Sequence, residues 1–276
     1  MLCTVKTLKS YKLESLDGEI GKVKEFYFDD RYWTIRYLVA STGTWLPGRQ
    51  VLISPHALGA INKSIYEQQI GINLTKKQIE DSPTWDSDKP VSRQFEEIYH
   101  GYYDWPAYWS GPHQWGSSPH IERDREKWKT AASSSQQGEN TSSRDPYLRS
   151  THAVTGYHID ADDGEIGHVE DFVIDNETWA IRYLIVNTHN FWPGRKVLIS
   201  PQWIERVSWG QSKVFINLSR ETIKESPQYT EEFLLTRDYE TDLHRYYKRQ
   251  GYWVNEVVTD REYPAPGTKS QFDLVA

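Results

Sequence analysis

Cysteine and long apolar runs are almost missing from this sequence. Cys3 is the only cysteine among 276 residues, which excludes an intrachain disulfide or a thiolate metal cluster and favours a reducing compartment. No apolar stretch approaches the roughly 20 residues that a membrane-spanning helix needs. Residues 1–10 also lack the apolar segment of a signal peptide. These absences predict a cytoplasmic protein without membrane insertion.

Recognisable catalytic motifs are missing as well. The sequence contains no Ser-His-Asp arrangement, phosphate-binding loop or dinucleotide fingerprint. His152, His158 and His168 lie close in sequence, but their spacing matches no metal-ligand motif. A formal net charge of −7 and the lack of basic runs make nucleic acid an unfavourable partner. We therefore predict a protein that is not an enzyme and has no catalytic residue, metal or cofactor.

Aromatic residues, in contrast, are abundant, and part of the chain is repeated. Aromatics make up 14% of the residues, with 12 Trp and 18 Tyr. Asp17-Gly-Glu-Ile-Gly21 recurs 146 residues later, as do Trp33-Thr-Ile-Arg-Tyr-Leu38 (with one substitution) and Pro47-Gly-Arg-Gln-Val-Leu-Ile-Ser-Pro55 (with one substitution). Such long exact matches indicate a duplication, and a repeat of this length predicts tandem domains.

The repeat sets the predicted domain organisation. Copy 1 with its helical tail covers residues 1–110, a polar linker covers 111–150, and copy 2 with its helical tail covers 151–276. Within each copy, short β-branched and aromatic runs alternate with Asp-Gly and Pro-Gly turn signals, which is typical of a small barrel or sandwich. Thr75-Lys-Lys-Gln78 predicts a capping box at the start of a short helix.

The repeated segments resemble the PRC-barrel. The resemblance rests on Asp17-Gly-Glu-Ile-Gly-Lys-Val23, the Tyr37-Leu-Val39 strand and Leu52-Ile-Ser-Pro55, and it covers about 8–73 and 154–217. This family includes the cytoplasmic part of the photosynthetic reaction centre H subunit and the C-terminal part of a ribosome maturation factor. The resemblance implies two tandem, small antiparallel β-barrels, a mainly β fold, acting as an assembly module without catalytic residues. The chain is most similar to stand-alone tandem PRC-barrel proteins of bacteria.

Two repeated arginines are candidate binding residues. Arg49 and Arg195 each follow a Pro-Gly turn near aromatic residues, Trp45 in copy 1 and Trp192 in copy 2. A guanidinium at such a position suits a carboxylate or phosphate of a partner. A salt bridge to Asp29 or Asp175 would explain the arginines equally well.

The aromatic residues after each predicted helix are the second set of candidates. Tyr and Trp concentrate binding energy at interfaces, so these segments could dock a partner; alternatively they pack across the other barrel or seal an open barrel edge. The candidates are Tyr102, Tyr103, Trp105 and Trp109 in copy 1 and Tyr246, Tyr247 and Trp253 in copy 2.

Three functions remain open from the sequence. A protein-interaction or assembly module is favoured by the duplication and the aromatic residues, with an unidentified protein partner or self-association. An RNA- or ribosome-associated factor is suggested only by the family resemblance. A small-ligand binder would use the cleft between the barrels.

Overall fold

A computed structural model describes residues 1–63, 68–86, 90–109, 115, 121, 147–188, 195–231 and 235–254. The protein is mainly β. Its strands are β1 (Leu2–Thr4), β2 (Lys12–Ser15), β3 (Gly18–Asp29), β4 (Thr34–Ser41), β5 (Gln50–Ile53), β6 (Leu58–Lys63), β7 (Gln68–Ile72), β8 (Leu148–Ser150), β9 (His158–Ala161), β10 (Gly164–Asp175), β11 (Ile181–Asn187), β12 (Lys196–Ile199), β13 (Ile204–Ser208) and β14 (Lys213–Ile216). Its α-helices are α1 (Val5–Leu8), α2 (Lys76–Glu80), α3 (Arg93–Tyr103), α4 (Thr151–Val154), α5 (Arg220–Lys224) and α6 (Arg237–Tyr246).

The strands form two seven-stranded sheets with the same order. Six strands of one sheet follow the order β5-β4-β3-β2-β7-β6, and six strands of the other follow the order β12-β11-β10-β9-β14-β13. The seventh strand is β8, beside β3, in the first sheet and β1, beside β10, in the second. Most neighbours are antiparallel, but β2 pairs with β7 in parallel and so does β9 with β14, a pairing that the antiparallel prediction did not include. Among the described residues no strand pairing joins the two ends of either path.

Glycine allows the β3 strand to bend closely past β4. Gly21 has φ +133°, and a Cβ built on it would lie 2.0 Å from the backbone oxygen of Ser41. Gly167 repeats this geometry against Asn187, also at 2.0 Å. A register shift between β2 and β3 places a β-bulge beside Gly21. The predicted capping box at Thr75 is also present at the start of α2.

The two copies exchange their first strands. β1 of copy 1 pairs with β10 of copy 2, with Cys3 opposite Ile174. Reciprocally, β8 pairs with β3 of copy 1, with Arg149 opposite Phe28. The first strand of each copy thus completes the sheet of the other, and β8 lies in the last residues assigned by the sequence to the linker. The two copies therefore pair within one chain.

A pair of hydrogen bonds joins the copies at their centre. The Ile35 amide donates to the Trp179 carbonyl at 2.8 Å, and the Ile181 amide donates to the Trp33 carbonyl at 2.7 Å. Each bond is the counterpart of the other under the repeat, so this contact lies on an approximate twofold axis. Phe28 packs near Phe172 beside it, with ring centroids 5.9 Å apart. The apolar core is therefore continuous from one copy to the other.

No helix in the described part of the chain is long and apolar enough to cross a membrane.

Candidate functional site

Each copy contains a buried cluster of titratable side chains between its longest helix and its sheet. In copy 1 the Tyr37 hydroxyl on β4 lies 2.9 Å from both Glu96 Oε1 and His100 Nε2 on α3. Glu96 also pairs with Arg93, at 2.7 Å, and accepts a hydrogen bond from the Tyr108 hydroxyl. Glu96 and His100 lie four positions apart, so both face the sheet from the same side of the helix.

Copy 2 repeats this cluster residue for residue. The Tyr183 hydroxyl lies 3.0 Å from both Glu240 Oε1 and His244 Nε2. Arg237 pairs with Glu240 at 3.0 Å, and the Tyr252 hydroxyl donates to Glu240 at 2.8 Å. Because both copies retain the same five side chains in the same contacts, the cluster solves a packing problem common to both. None of its residues is among the candidates predicted from the sequence, although each of them recurs in the repeat.

Burial controls the electrostatics of these clusters. It lowers the pKa of His100 to about 3. It raises the pKa of Glu96, and the positive charge of Arg93 partly offsets that rise. With His100 neutral, its Nδ1–H donates to the Pro106 carbonyl at 3.0 Å. The Tyr37 hydroxyl donates to Glu96 and lies at the same distance from His100 Nε2. Glu96 is 0% exposed and His100 is 3% exposed. These groups bind the helix to the sheet and have no access to a substrate in solvent.

A buried ion pair connects each cluster to the twofold contact. Arg36 pairs with Asp29 at 3.0 Å, and its guanidinium lies 4.1 Å from the ring centroid of Tyr108. Arg182 pairs with Asp175 at 3.0 Å and lies 3.9 Å from the ring of Tyr252. The aspartates that the sequence offered as partners of Arg49 and Arg195 are therefore paired with other arginines.

The structure places Arg49 and Arg195 against helix ends. Arg49 donates to the backbone oxygens of Glu80, at 2.6 Å, and of Ser82, at 2.7 Å. Arg195 donates to the Ser226 carbonyl in the same way. Cations are favoured at the carboxyl end of a helix, where carbonyl groups lack intrahelical partners. Both guanidinium groups thus have contacts within the chain that stabilise α2 and the segment after α5.

Trp45 lies beside a cavity within copy 1. The tryptophan is half-buried, with the Lys76 ammonium 5.8 Å from its ring centroid. Both residues line a cavity of about 500 Å³ that also borders Gly21. Trp192, its predicted equivalent in copy 2, lies outside the described residues.

The aromatic residues that follow α3 pack back onto their own copy. Trp105 is buried and stacks on Tyr103, with ring centroids 4.2 Å apart. The ring centroid of Trp109 lies 4.3 Å from the Arg93 guanidinium. Tyr102 remains the most exposed of this group, at 42%, and its hydroxyl donates to the Gln78 carbonyl at 3.0 Å. These candidates form a network that attaches the helix to its sheet.

The aromatic residues that follow α6 have the same arrangement in copy 2. Tyr247 is buried, and the centroids of its ring and the Trp203 ring are 4.6 Å apart. The Tyr246 hydroxyl donates to the Thr222 carbonyl at 2.7 Å. Trp253 lies 4.3 Å from the Arg237 guanidinium. The structure thus brings these aromatic residues together within each copy.

A cleft between the two copies is the concave site that the predicted residues do not include. Its volume is about 470 Å³, within the range of ligand pockets. Copy 1 contributes the turn before β4, and copy 2 contributes the start of β11, the turn after β12 and one tyrosine from its tail. The lining residues are Arg31, Tyr32, Trp33, Ala180, Ile181, Arg182, Ser200, Pro201, Gln202, Ile204 and Tyr252.

The chemistry of this cleft is cationic and aromatic. Arg31 and Arg182 are its two charged lining residues, and both are arginines. Trp33, Tyr32 and Tyr252 supply aromatic surface. Nowhere in the described part of the chain do three or more His, Cys, Asp or Glu side chains come together in a way that could hold a metal ion. The cleft therefore suits an electron-rich or anionic ligand better than a metal.

Comparison with known proteins finds one family model that matches part of this chain. Residues 159–223, which run from β9 to α5, match the family model of the PRC-barrel domain. The matched segment lies entirely in copy 2. No curated protein matches the chain.

Proposed function

We propose that this protein is a non-catalytic protein-interaction module, in which two PRC-type barrels form one pseudo-symmetric unit and receive a partner in the cleft between them. The repeat relates copy 1 to the matched segment of copy 2, and the two sheets have the same strand order. That likeness supports assigning copy 1 to the PRC-barrel family as well. It also supports a barrel form for both copies.

The observation that carries the proposal is the cleft itself. It is formed by both copies, so it exists only in the paired unit, and side chains from both sides converge on it. The exchange of β1 and β8 fixes the two sides relative to each other. Concave sites with a few convergent polar groups are where proteins commonly bind their ligands.

The buried clusters support a binding role rather than catalysis. The candidate acid and base groups, Glu96 and His100 and their counterparts, are at most 3% exposed and are bonded to one another. The cleft, where a ligand could enter, is lined by arginine, aromatic and amide side chains. A docking surface on the aromatic tails is less favoured, because Trp105 and Tyr247 are buried within their own copies.

Site-specific photo-crosslinking tests the proposal. Gln202 is exposed at the cleft, whereas Glu205 is exposed three residues further along the chain and is not in the lining. A photoreactive phenylalanine analogue is placed at either position in the full-length protein in its native cells. We expect irradiation to give a discrete protein adduct from position 202 and not from 205. Equal labelling at both positions, or none at 202, would contradict a partner in the cleft.

A second candidate function is binding of a small molecule in the same cleft, which its volume of about 470 Å³ would allow. Native mass spectrometry of the protein isolated from its cells would show a bound compound, lost when Gln202→Trp fills the cleft. An adduct with a protein at position 202 without such a compound favours the interaction module.

A further inference from the structure

The repeat creates two equivalent clefts, and among the described residues a tryptophan of this chain fills one of them. On the side of copy 1, the Trp115 ring is 7% exposed and lies 4.7 Å from the Arg36 guanidinium. It meets the His56 ring edge to face, with centroids 5.3 Å apart. Its indole Nε1–H donates to the Thr178 carbonyl of copy 2 at 3.0 Å. Trp115 thus bridges the two copies.

The open cleft presents the equivalent groups. Arg182 corresponds to Arg36, Gln202 corresponds to His56, and Tyr32 corresponds to Thr178 as the residue preceding the turn tryptophan. All three line the open cleft. The open cleft therefore places the Arg182 guanidinium beside Tyr252 and the backbone of Tyr32. These positions correspond to those that contact the indole in the filled cleft.

Exposure of equivalent residues agrees with one filled and one open cleft. His56 is 6% exposed, whereas Gln202 is exposed. Trp179 is 1% exposed, whereas Trp33 is half-buried and lines the open cleft. Six residues after Trp109 the chain has Trp115, but six residues after Trp253 it has Thr259. The sequence of copy 2 thus has no tryptophan at the position that supplies the ring in copy 1.

We propose that the open cleft binds the indole of a tryptophan presented by a partner polypeptide. The filled cleft shows which chemistry fits: an electron-rich ring beside a guanidinium, with a ring N–H aimed at a backbone carbonyl. A lining with two arginines and no acidic side chain is complementary to such a ring. This inference rests on the proposed function, because it names the group through which the partner enters the cleft.

A peptide taken from this chain provides the probe. The nine residues Gly-Pro-His-Gln-Trp-Gly-Ser-Ser-Pro, the sequence of 111–119, are titrated into the full-length protein by isothermal calorimetry. The same peptide with alanine replacing tryptophan is the control. We expect one binding site in the wild-type protein and affinity at least about tenfold weaker for the alanine peptide, as is typical of a buried tryptophan at an interface.

Matched variants of the two clefts test the site. Trp115→Ala empties the filled cleft, so the number of peptide sites should rise from one to two. Gln202→Trp should fill the open cleft and abolish the site. Arg31→Trp fills it from copy 1, at an exposed position, and serves if Gln202→Trp does not fold, as judged by circular dichroism.

Several results would overturn this inference. They are equal binding of the two peptides, a site that persists when the cleft is filled, or an unchanged count in Trp115→Ala. Binding only to a chain ending at Val254 would also overturn it, by assigning the cleft to the protein's own C-terminus.

If position 202 captures a protein but the tryptophan peptide does not bind, the interaction module stands and the tryptophan inference alone fails. If the peptide binds but position 202 captures nothing, the proposed function fails.

Discussion

The exchange of first strands can be tested with the single native cysteine. Cys3 on β1 lies directly opposite Ile174 on β10 of copy 2, and its Sγ is 3.8 Å from the Ile174 carbonyl oxygen. Opposed residues of antiparallel strands have Cα atoms about 4.5–5.5 Å apart, which a disulfide can span. We therefore expect Ile174→Cys to form a disulfide with Cys3 under mild oxidation.

The repeat supplies the matched control. Phe28 is the position in copy 1 that corresponds to Ile174 in copy 2. If β1 instead paired within its own copy, Cys3 would lie beside position 28, and Phe28→Cys would form the disulfide. In the exchanged arrangement β8 lies beside Phe28, so this variant should keep two free thiols. Free-thiol titration and mass spectrometry of the linked peptides distinguish the two cases.

The expected stabilisation follows from the length of the closed loop. A bond between positions 3 and 174 restrains more than half of the 276-residue chain in the unfolded state. The chain-entropy model gives about 5 kcal/mol for a loop of this size, and strain lowers that value. Urea unfolding of the same variant, oxidised and reduced, isolates this effect, because the loss of the buried isoleucine is common to both forms. Crosslinking of Phe28→Cys but not of Ile174→Cys would refute the exchange.

Three further predictions concern stability, each measured by urea unfolding. Gly21→Ala should cost at least about 3 kcal/mol because its Cβ would lie 2.0 Å from a backbone oxygen, whereas Gly48→Ala, at φ +75° with no atom within 4 Å, should cost only about 1 kcal/mol; equal losses would contradict this. Burial raises the pKa of Asp171 to about 6, so ionisation of that carboxylate in the folded protein removes about 2 kcal/mol of stability between pH 4 and 7, and the stability of the wild type relative to Asp171→Asn should fall by that amount over this range. Burial lowers the pKa of His100 to about 3, so proton uptake by this histidine in the unfolded chain removes about 2 kcal/mol of stability from pH 6.5 to 4.5, and the stability of the wild type relative to His100→Gln should fall by that amount as the pH is lowered. A parallel pH profile for either variant and the wild type would contradict the corresponding assignment.

Local features of the fold could be predicted from the sequence because short-range chemistry determines them. The Asp17-Gly18 turn joins β2 to β3, and the Thr75 capping box begins α2, as predicted. Each depends on residues within a few positions of one another. The parallel pairing of β2 with β7 was not predicted, because it joins strands more than fifty residues apart.

The strand exchange could not be predicted because the sequence offers β1 two similar partners. β3 ends in Phe-Tyr-Phe-Asp29 and β10 ends in Phe-Val-Ile-Asp175. Either strand therefore offers β1 an apolar segment with which it can pair in the same register. The choice depends on how the chain closes between the two copies, and hydrophobic periodicity carries no information about that closure. The same reasoning explains why Arg49 was interpreted as a ligand anchor: its carbonyl partners lie on a helix about thirty residues away.

Residues that both copies share say most about the fold, and residues that differ between them say most about function. The Tyr37–Glu96–His100 cluster and its counterpart have the same contacts in both copies, so a duplicated packing requirement accounts for them. At the clefts the copies diverge: His56 faces Trp115, whereas the equivalent Gln202 is exposed. Arg31, at the rim of the open cleft, corresponds to Glu177 on the other side. This divergence supports the proposal that one cleft completes the fold and the other receives a ligand.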